Sequence, residues 1–410
     1  MQLAKFHSKS QALYGLSQIA ENIPVVISAD DSTGTATVAS GGTSVSGSGT
    51  TFLTQVTPKA YLYSNTGVLI GQIANVASDT SFTLVDPALA AVSGTFAIGL
   101  GPKNALAALS MNYSTELTTD SFQYAGDELS RDEVTEITDK FGKLDFEAFM
   151  PKRGTIAGAN PTVDEIPMAD WFQSSGFGVI LSTDSSGKIT YTNSLPSNEY
   201  MTIEVRRSSL DINTDKVYTL TDCRGAADPV GKVGSKIKMK FNYLGNLKKV
   251  EQKTKLVPDY EDQKFNIAAR MSSNNISLSR LTVYTSGVEP ADLGPTNFCF
   301  SELGAPNASG FEFDRYQTSC EDGWSKGAVP TDVTVTIIED AADALYNPDD
   351  HLEAGSSHTL ALEYGVGAGD NVRLYWHKIN ISNVASAEVA KYSGQALTYR
   401  NVDTLDITLS

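Results

Sequence analysis

The sequence predicts a mainly β protein: sheet-forming units in tandem, one or two short helices, and a small β-barrel module near the N-terminus. Three observations carry this. Charged residues make up only 19% of the 410, below the usual quarter. Thr, Ser, Asn and Gly take their place, a mix that suits strands and turns. Apolar and polar residues alternate along 143–149 and 236–243, the period-2 signature of half-buried antiparallel strands. Between residues 26 and 104, short apolar runs and turn signals follow one another closely, as in a small barrel or sandwich.

Residues 10–22 form a short apolar segment that reads as a possible helix turn, weakened by Gly15 and ended by Pro24. The stretch Val45 to Phe52 reads as a turn followed by a strand start. Ala60 to Tyr63, Val68 to Val76 and Ser81 to Val85 read as strands, separated by the turn segments 64–67 and 77–80. From residue 105 the strands lengthen. Leu144, Phe146 and Ala148 share one face, with Lys143, Asp145 and Glu147 on the other. Ile237, Met239, Phe241 and Tyr243 likewise oppose Lys236, Lys238 and Lys240. Residues 165–175 are the best helix candidate, with Pro167 near the start and Gly176 past the end.

A chain of this length suits two or three domains, and 41% hydrophobic residues let each bury a core. The boundaries expected are 1–25, 26–104, 105–264 and 265–410, with the second an insertion. The C-terminal part loosely repeats the strand order of the part before it. Leu278 to Tyr284 and Asn297 to Phe300 are matched with Leu109 to Tyr113 and Ser121 to Tyr124. Asp332 to Ile338 is matched with 143–149, Asn371 to Ile381 with Lys216 to Arg224, and Asn401 to Leu409 with 235–243.

The net charge of −17 argues against non-specific grip on nucleic acid, which runs on phosphate neutralisation. Such a chain can face DNA without adhering, and its charge keeps free subunits soluble. The three cysteines, Cys223, Cys299 and Cys320, have no CxxC spacing, so buried free thiols are expected rather than a disulfide framework or zinc site. No apolar run has the length of a membrane span and no apolar h-region follows the N-terminal residues. Synthesis in the cytoplasm is expected, with any export inside a larger particle.

Chemistry-bearing motifs are sparse. Gly99-Leu-Gly101 has Asn104 where a dinucleotide loop needs glycine, and no Walker loop, HExxH or GxSxG occurs. Asp349, Asp350 and His351 have metal-ligand chemistry, but Asn347-Pro348 before them marks a turn, and an exposed acidic loop is the simpler reading. Trp171, Trp324 and Trp376 are scattered, which disfavours an aromatic cleft with the acidic pair of a glycosidase. No catalytic residue, cofactor or metal is therefore expected. Two charged features stand out as contact candidates. One is the cluster Asp127, Glu128, Arg131, Asp132 and Glu133; the other is Lys236, Lys238 and Lys240, within a run of eight lysines from Lys232 to Lys255. The lysine face reads as a subunit contact, for instance against the 127–133 cluster, as a solvated face, or as a DNA-tracking stripe.

The run Leu117 to Asp139 followed by Lys143 to Phe149 resembles the start of a tail tube domain of long-tailed bacteriophages. Val217 to Gly225 with Gly234 to Gly245, Ala12 to Gly15, Pro330 to Ile337 and Leu397 to Leu409 look similar to other parts of that family. The resemblance covers roughly 1–25 and 105–410, while 26–104 resembles small β decoration modules of virion proteins. It implies a structural protein, not an enzyme, that stacks as rings into a hollow virion tail tube through which genomic DNA passes. It implies other copies of the chain, a tape measure protein and a tail terminator as partners, with passing duplex DNA and no membrane insertion. Two tube folds per chain would make a trimeric, pseudo-sixfold ring; a single one would require a hexamer. The loop 126–142 would contact the next ring, and the inserted module would point outward. A fibre, capsid decoration or adhesin is the alternative within the structural class.

Overall fold

A computed structural model gives the fold. It describes residues 6–20, 23–123, 133–153, 161–162, 166, 168–182, 187–195, 197, 199–209, 213–232, 235–260, 279–284, 296–298, 300–304, 311–314, 323–326, 331–338, 347–355, 357–365, 371–389 and 392–409.

The described chain opens with β1 (Phe6–Ser17). Seven short strands follow: β2 (Thr35–Val38), β3 (Ser44–Ser48), β4 (Tyr61–Ser64), β5 (Leu69–Ser78), β6 (Ser81–Leu84), β7 (Val92–Gly94) and β8 (Phe96–Gly99). A one-turn helix, α1 (Phe52–Gln55), lies between β3 and β4. The seven strands make their own sheet, in the order β7-β2-β3-β6-β5-β4-β8. The turn expected at 64–67 is present: the Val68 N–H donates to Ser64 Oγ, and Gly67 takes a left-handed φ of 80°, which glycine adopts without steric cost. Phe52 starts α1 rather than a strand. Its ring is fully buried and packs edge-on against Phe82 at 4.8 Å and Phe96 at 5.7 Å.

The next elements are β9 (Ala105–Leu106), β10 (Ala108–Gln123), β11 (Glu133–Phe149), helix α2 (Ala169–Ser174), the hairpin β12 (Gly178–Leu181) and β13 (Ile189–Thr192), then β14 (Met201–Ser209), β15 (Thr214–Lys232) and β16 (Lys238–Thr254). The last part holds β17 (Ser279–Tyr284), β18 (Thr296–Phe298), β19 (Phe300–Gly304), the hairpin β20 (Phe311–Asp314) and β21 (Gly323–Lys326), β22 (Thr331–Ile338), helix α3 (Pro348–Ala354), β23 (Ser357–Tyr364), β24 (Val372–Val389) and β25 (Tyr392–Leu409).

These two stretches repeat one strand order. In the first, β9 pairs β1, β1 pairs β14, and the sheet continues β14-β15-β16-β11-β10. In the second, β18 pairs β17, β17 pairs β23, and the sheet continues β23-β24-β25-β22-β19. Every pairing is antiparallel, and α2 and α3 fall at the same place in chain order. Three of the sequence matches therefore hold at the level of strands: 143–149 with 332–338, 216–224 with 371–381, and 235–243 with 401–409. The matches of 278–284 with 109–113 and of 297–300 with 121–124 are corrected. β17 corresponds to β1, and β18 and β19 correspond to β9 and the first part of β10. The cause is the seven-stranded sheet, which separates β1 from the rest of its unit in sequence. The hairpin β12–β13 has no counterpart between α3 and β23, and β13 pairs with the end of β25.

One apolar cluster runs through both repeats, from Leu13 and Phe146 to Trp376 and Leu409. A second lies within the seven-stranded sheet and takes in Tyr14 and Leu16. β1 thus sits between two cores, with Leu13 in one and Tyr14 and Leu16 in the other. The possible helix turn at 10–22 is corrected accordingly: burial on both faces removes the alternation that marks a half-exposed strand. Gly15 has a packing reason. A Cβ there would come within 2.5 Å of the Trp171 ring and 2.6 Å of Met201 Cε.

The helix expected at 165–175 is the shorter α2, whose Ala169, Trp171, Phe172 and Ser174 are buried. Gly176 follows it with a φ of 88°, as a left-handed helix stop requires. Leu144, Phe146 and Ala148 are buried, as are Ile237, Met239, Phe241 and Tyr243, so both alternating stretches present the faces their patterns predict. Cys223 is a buried free thiol, as expected; Cys299 and Cys320 lie outside the described residues.

Candidate subunit-contact surface

The hairpin β10–β11 is longer than the sheet that carries it. Its strands pair with each other from Ala108↔Ala148 to Gln123↔Glu133. β16 accompanies β11 only over Phe141 to Phe149. The arm 117–123 with 133–140 therefore continues beyond β16 as two strands. Glu133 opens β11 opposite Gln123. Asp127, Glu128, Arg131 and Asp132 lie outside the described residues, in the connection between the two strands.

Lys236, Lys238 and Lys240 all lie among the described residues. Lys238 Nζ lies 2.9 Å from Glu147 Oε2, with the two side chains 41% and 33% exposed. Lys236 Nζ stands 5.5 Å over the Phe149 ring. Lys240 is exposed and sits in register between Glu147 on β11 and Asp228 on β15. Lys238 and Lys240 thus lie beside carboxylates of their own sheet, because β11, β16 and β15 each present alternate residues to one face. Exposed pairs of this kind are worth at most about 1 kcal/mol. Lys238→Ala is accordingly expected to lower unfolding free energy by less than about 1 kcal/mol, read from the urea midpoint.

The strongest electrostatic arrangement centres on β14, on residues the sequence does not single out. On β14, Glu204 and Arg206 point to the face away from the main core, and both are almost fully buried. Arg206 donates to Glu204 Oε2 from Nε at 2.9 Å and from Nη2 at 2.6 Å. Lys253 donates to Glu204 Oε1 at 2.8 Å. Buried Asp215 lies 3.8 Å from Arg206 Nη1 and accepts from the Leu256 N–H at 3.1 Å. The guanidinium stands 5.1 Å from the Tyr14 ring centroid, and the Tyr14 hydroxyl donates to the Leu256 carbonyl. Lys253 is 26% exposed and also reaches Glu251 Oε1 at 3.1 Å, so Glu204, Arg206 and Asp215 are the buried members of the cluster. Burial by itself raises the Glu204 pKa, but Arg206 and Lys253 outweigh it and hold the carboxyl below its ordinary value. The signal in the sequence was opposite charges two residues apart on a strand, Glu204 and Arg206, which share a face.

Other titratable groups offer less. Glu199 is pushed up, first by burial and then by Asp170, while the Ser17 hydroxyl bond opposes the shift. Burial raises the Cys223 thiol well above its ordinary value, the reverse of an activated nucleophile. Asp349 and Asp350 are corrected from a loop to the first turn of α3, where Asn347 Oδ1 accepts the Asp349 N–H at 3.2 Å. Among the described residues, no three His, Cys, Asp or Glu side chains come together as a metal site. No described helix is long and apolar enough to cross a membrane. Gly101 precedes a single 3₁₀ turn, with Asn104 Oδ1 accepting its N–H, instead of a dinucleotide loop.

What distinguishes the molecule is its strand edges. The two repeats are joined by β15 and β19, which pair Val230↔Gly304, Gly231↔Leu303 and Lys232↔Glu302. Among the described residues, β10 has a strand partner on one side only, β11. Among the described residues, the only strand paired with the end of β24 beyond Ile381 is β25. No protein-family model matches the chain, and no curated protein matches it significantly in sequence.

Proposed function

We propose that this protein is a structural subunit that assembles with copies of itself into stacked rings, as the tail tube of a long-tailed bacteriophage. The observation that carries the reading is the repeat. Two units of the same strand order already join edge to edge within one chain, through β15 and β19. Open strand edges invite further pairing, and a joint between unlike edges propagates to a ring or a filament. Two units per chain favour three chains around a pseudo-sixfold ring; six chains are the alternative. In this reading the tube is a conduit for genomic DNA, the tape measure protein and tail terminator are its partners, and the virion tail is its location. The seven-stranded sheet would face outward, leaving the channel clear. The 127–133 cluster, at the far end of the β10–β11 arm, would contact the next ring.

Negative-stain electron microscopy of the purified protein tests this. Discs with a central hole, or tubes of stacked discs, are expected. Isolated particles of monomer size at high protein concentration would overturn the proposal.

A further inference from the structure

We infer that the chain joins a second copy of itself by laying the end of β24, Ala387 to Val389, against the open edge of β10, Ser114 to Glu116. The joint takes its starting register from the pair Val230↔Gly304 between β15 and β19 inside the chain and runs from there back along β24; it presupposes the self-assembly proposed above and assigns its residues.

The register follows from matching the two repeats. In each, the long hairpin ends in seven consecutive pairs after a one-residue bulge on its first strand. These run from Arg224↔Leu244 to Val230↔Lys238 in β15–β16 and from Asn383↔Thr398 to Val389↔Tyr392 in β24–β25. Val389 is therefore the counterpart of Val230, and Thr398 of Leu244. Leu244 pairs Lys143, and Thr398 pairs Thr334. Lys143 in turn pairs Ser114, and Thr334 pairs Gly304. Ser114 is thus the counterpart of Gly304. Since Val230 pairs Gly304, the same joint between chains pairs Val389 with Ser114. Antiparallel pairing then sets Glu388 opposite Thr115 and Ala387 opposite Glu116.

Both edges suit this role. Ser114, Thr115 and Glu116 are exposed; on the β24 side Glu388 is exposed and Ala387 half-buried. No like charges face each other in the register, an arrangement that would destabilise a cross-strand pair. The contact is heterologous, with a different strand from each copy. It leaves each added chain with a free β10 or a free β24, so addition continues until a ring closes.

Cysteine cross-linking of the full chain tests the register. Residues directly opposite in an antiparallel pair have Cα atoms about 4.5–5.5 Å apart, within disulfide reach. The double variant Glu388→Cys/Thr115→Cys is expected to give, on mild oxidation, a ladder of disulfide-linked multimers on non-reducing gels. Each single variant alone should give none, which also controls for the native cysteines. An equal mixture of the two single variants should stop at linked dimers. The shifted pair Glu388→Cys/Ser114→Cys should not link, because neighbouring positions face opposite sides of the sheet. Rings or tubes of the double variant that fail to cross-link would overturn this joint while leaving self-assembly standing. Absence of any assembly would overturn both. Hydrogen exchange of the unaltered protein gives a second readout: amides of 112–116 and 385–389 should slow on assembly, and unchanged exchange in assembled rings would also overturn the joint.

Discussion

Glu204→Ala is expected to lower the unfolding free energy by about 3–5 kcal/mol, the cost of leaving a buried ion-pair partner uncompensated. Glu204 is fully buried and accepts from both Arg206 and Lys253. Its removal leaves Arg206, itself 5% exposed, with the longer contact to Asp215 as its carboxylate. Urea titration followed by circular dichroism measures the loss, and a change under about 1 kcal/mol would show that the cluster is not held as described. The same group sets a pH dependence. The folded Glu204 carboxyl lies below its ordinary value of 4.5, so the unfolded chain binds its proton more readily than the folded one. The stabilisation is present above that ordinary value and is lost as pH falls through the lower folded one. Melting temperature should therefore drop as the solution is acidified below about pH 4.5. Glu204→Gln should show a shallower drop, and an equal slope in both proteins would contradict the assignment.

Trp171→Ala is expected to cost about 3–5 kcal/mol, as large-to-small changes of buried aromatic residues do. Trp171 is 2% exposed and lies edge-on to Phe146 at 5.1 Å and Tyr243 at 5.4 Å. Its indole also fills the space left by Gly15 on β1, so the ring ties α2 to β1 and to the β11–β16 sheet at once. Its backbone carbonyl accepts from the buried Tyr243 hydroxyl at 2.6 Å. That hydroxyl also lies 2.7 Å and 2.9 Å from the hydroxyls of Ser174 and Ser175. A shifted α2 would unsettle these bonds as well. The denaturation midpoint should fall in proportion, and a midpoint within experimental error of the original protein would refute this account of the core.

Much of the fold was legible where one sheet face meets a core and the other meets solvent. Residues 143–149 and 236–243 alternate because that is their environment, and their faces can be read directly. β1 shows the opposite case. Its Leu13, Tyr14 and Leu16 are all buried, in two different cores, so its period-2 pattern vanished and the segment resembled a helix turn. Phe52 misled for another reason: a ring suited to a strand also suits a one-turn helix when its neighbours Phe82 and Phe96 close around it. The contact candidates divide in the same way. Lys236, Lys238 and Lys240 lie on the face their alternation predicts, but Glu147, the ion-pair partner of Lys238, comes from β11, far away in sequence.

Composition and alternation were thus enough to determine a mainly β chain with short turns, little helix and repeated long strands. They acted locally, through steric preference and the burial of every second side chain. The tertiary structure decided which strands are partners, that β1 belongs with β14 and not with its sequence neighbours, and that Glu204, Arg206, Asp215 and Lys253 meet. It also decided which edges stay open. Hydrogen-bond pairing between strands depends on backbone groups that every residue carries, so an open edge leaves no mark in the sequence and emerges only when the sheet is assembled.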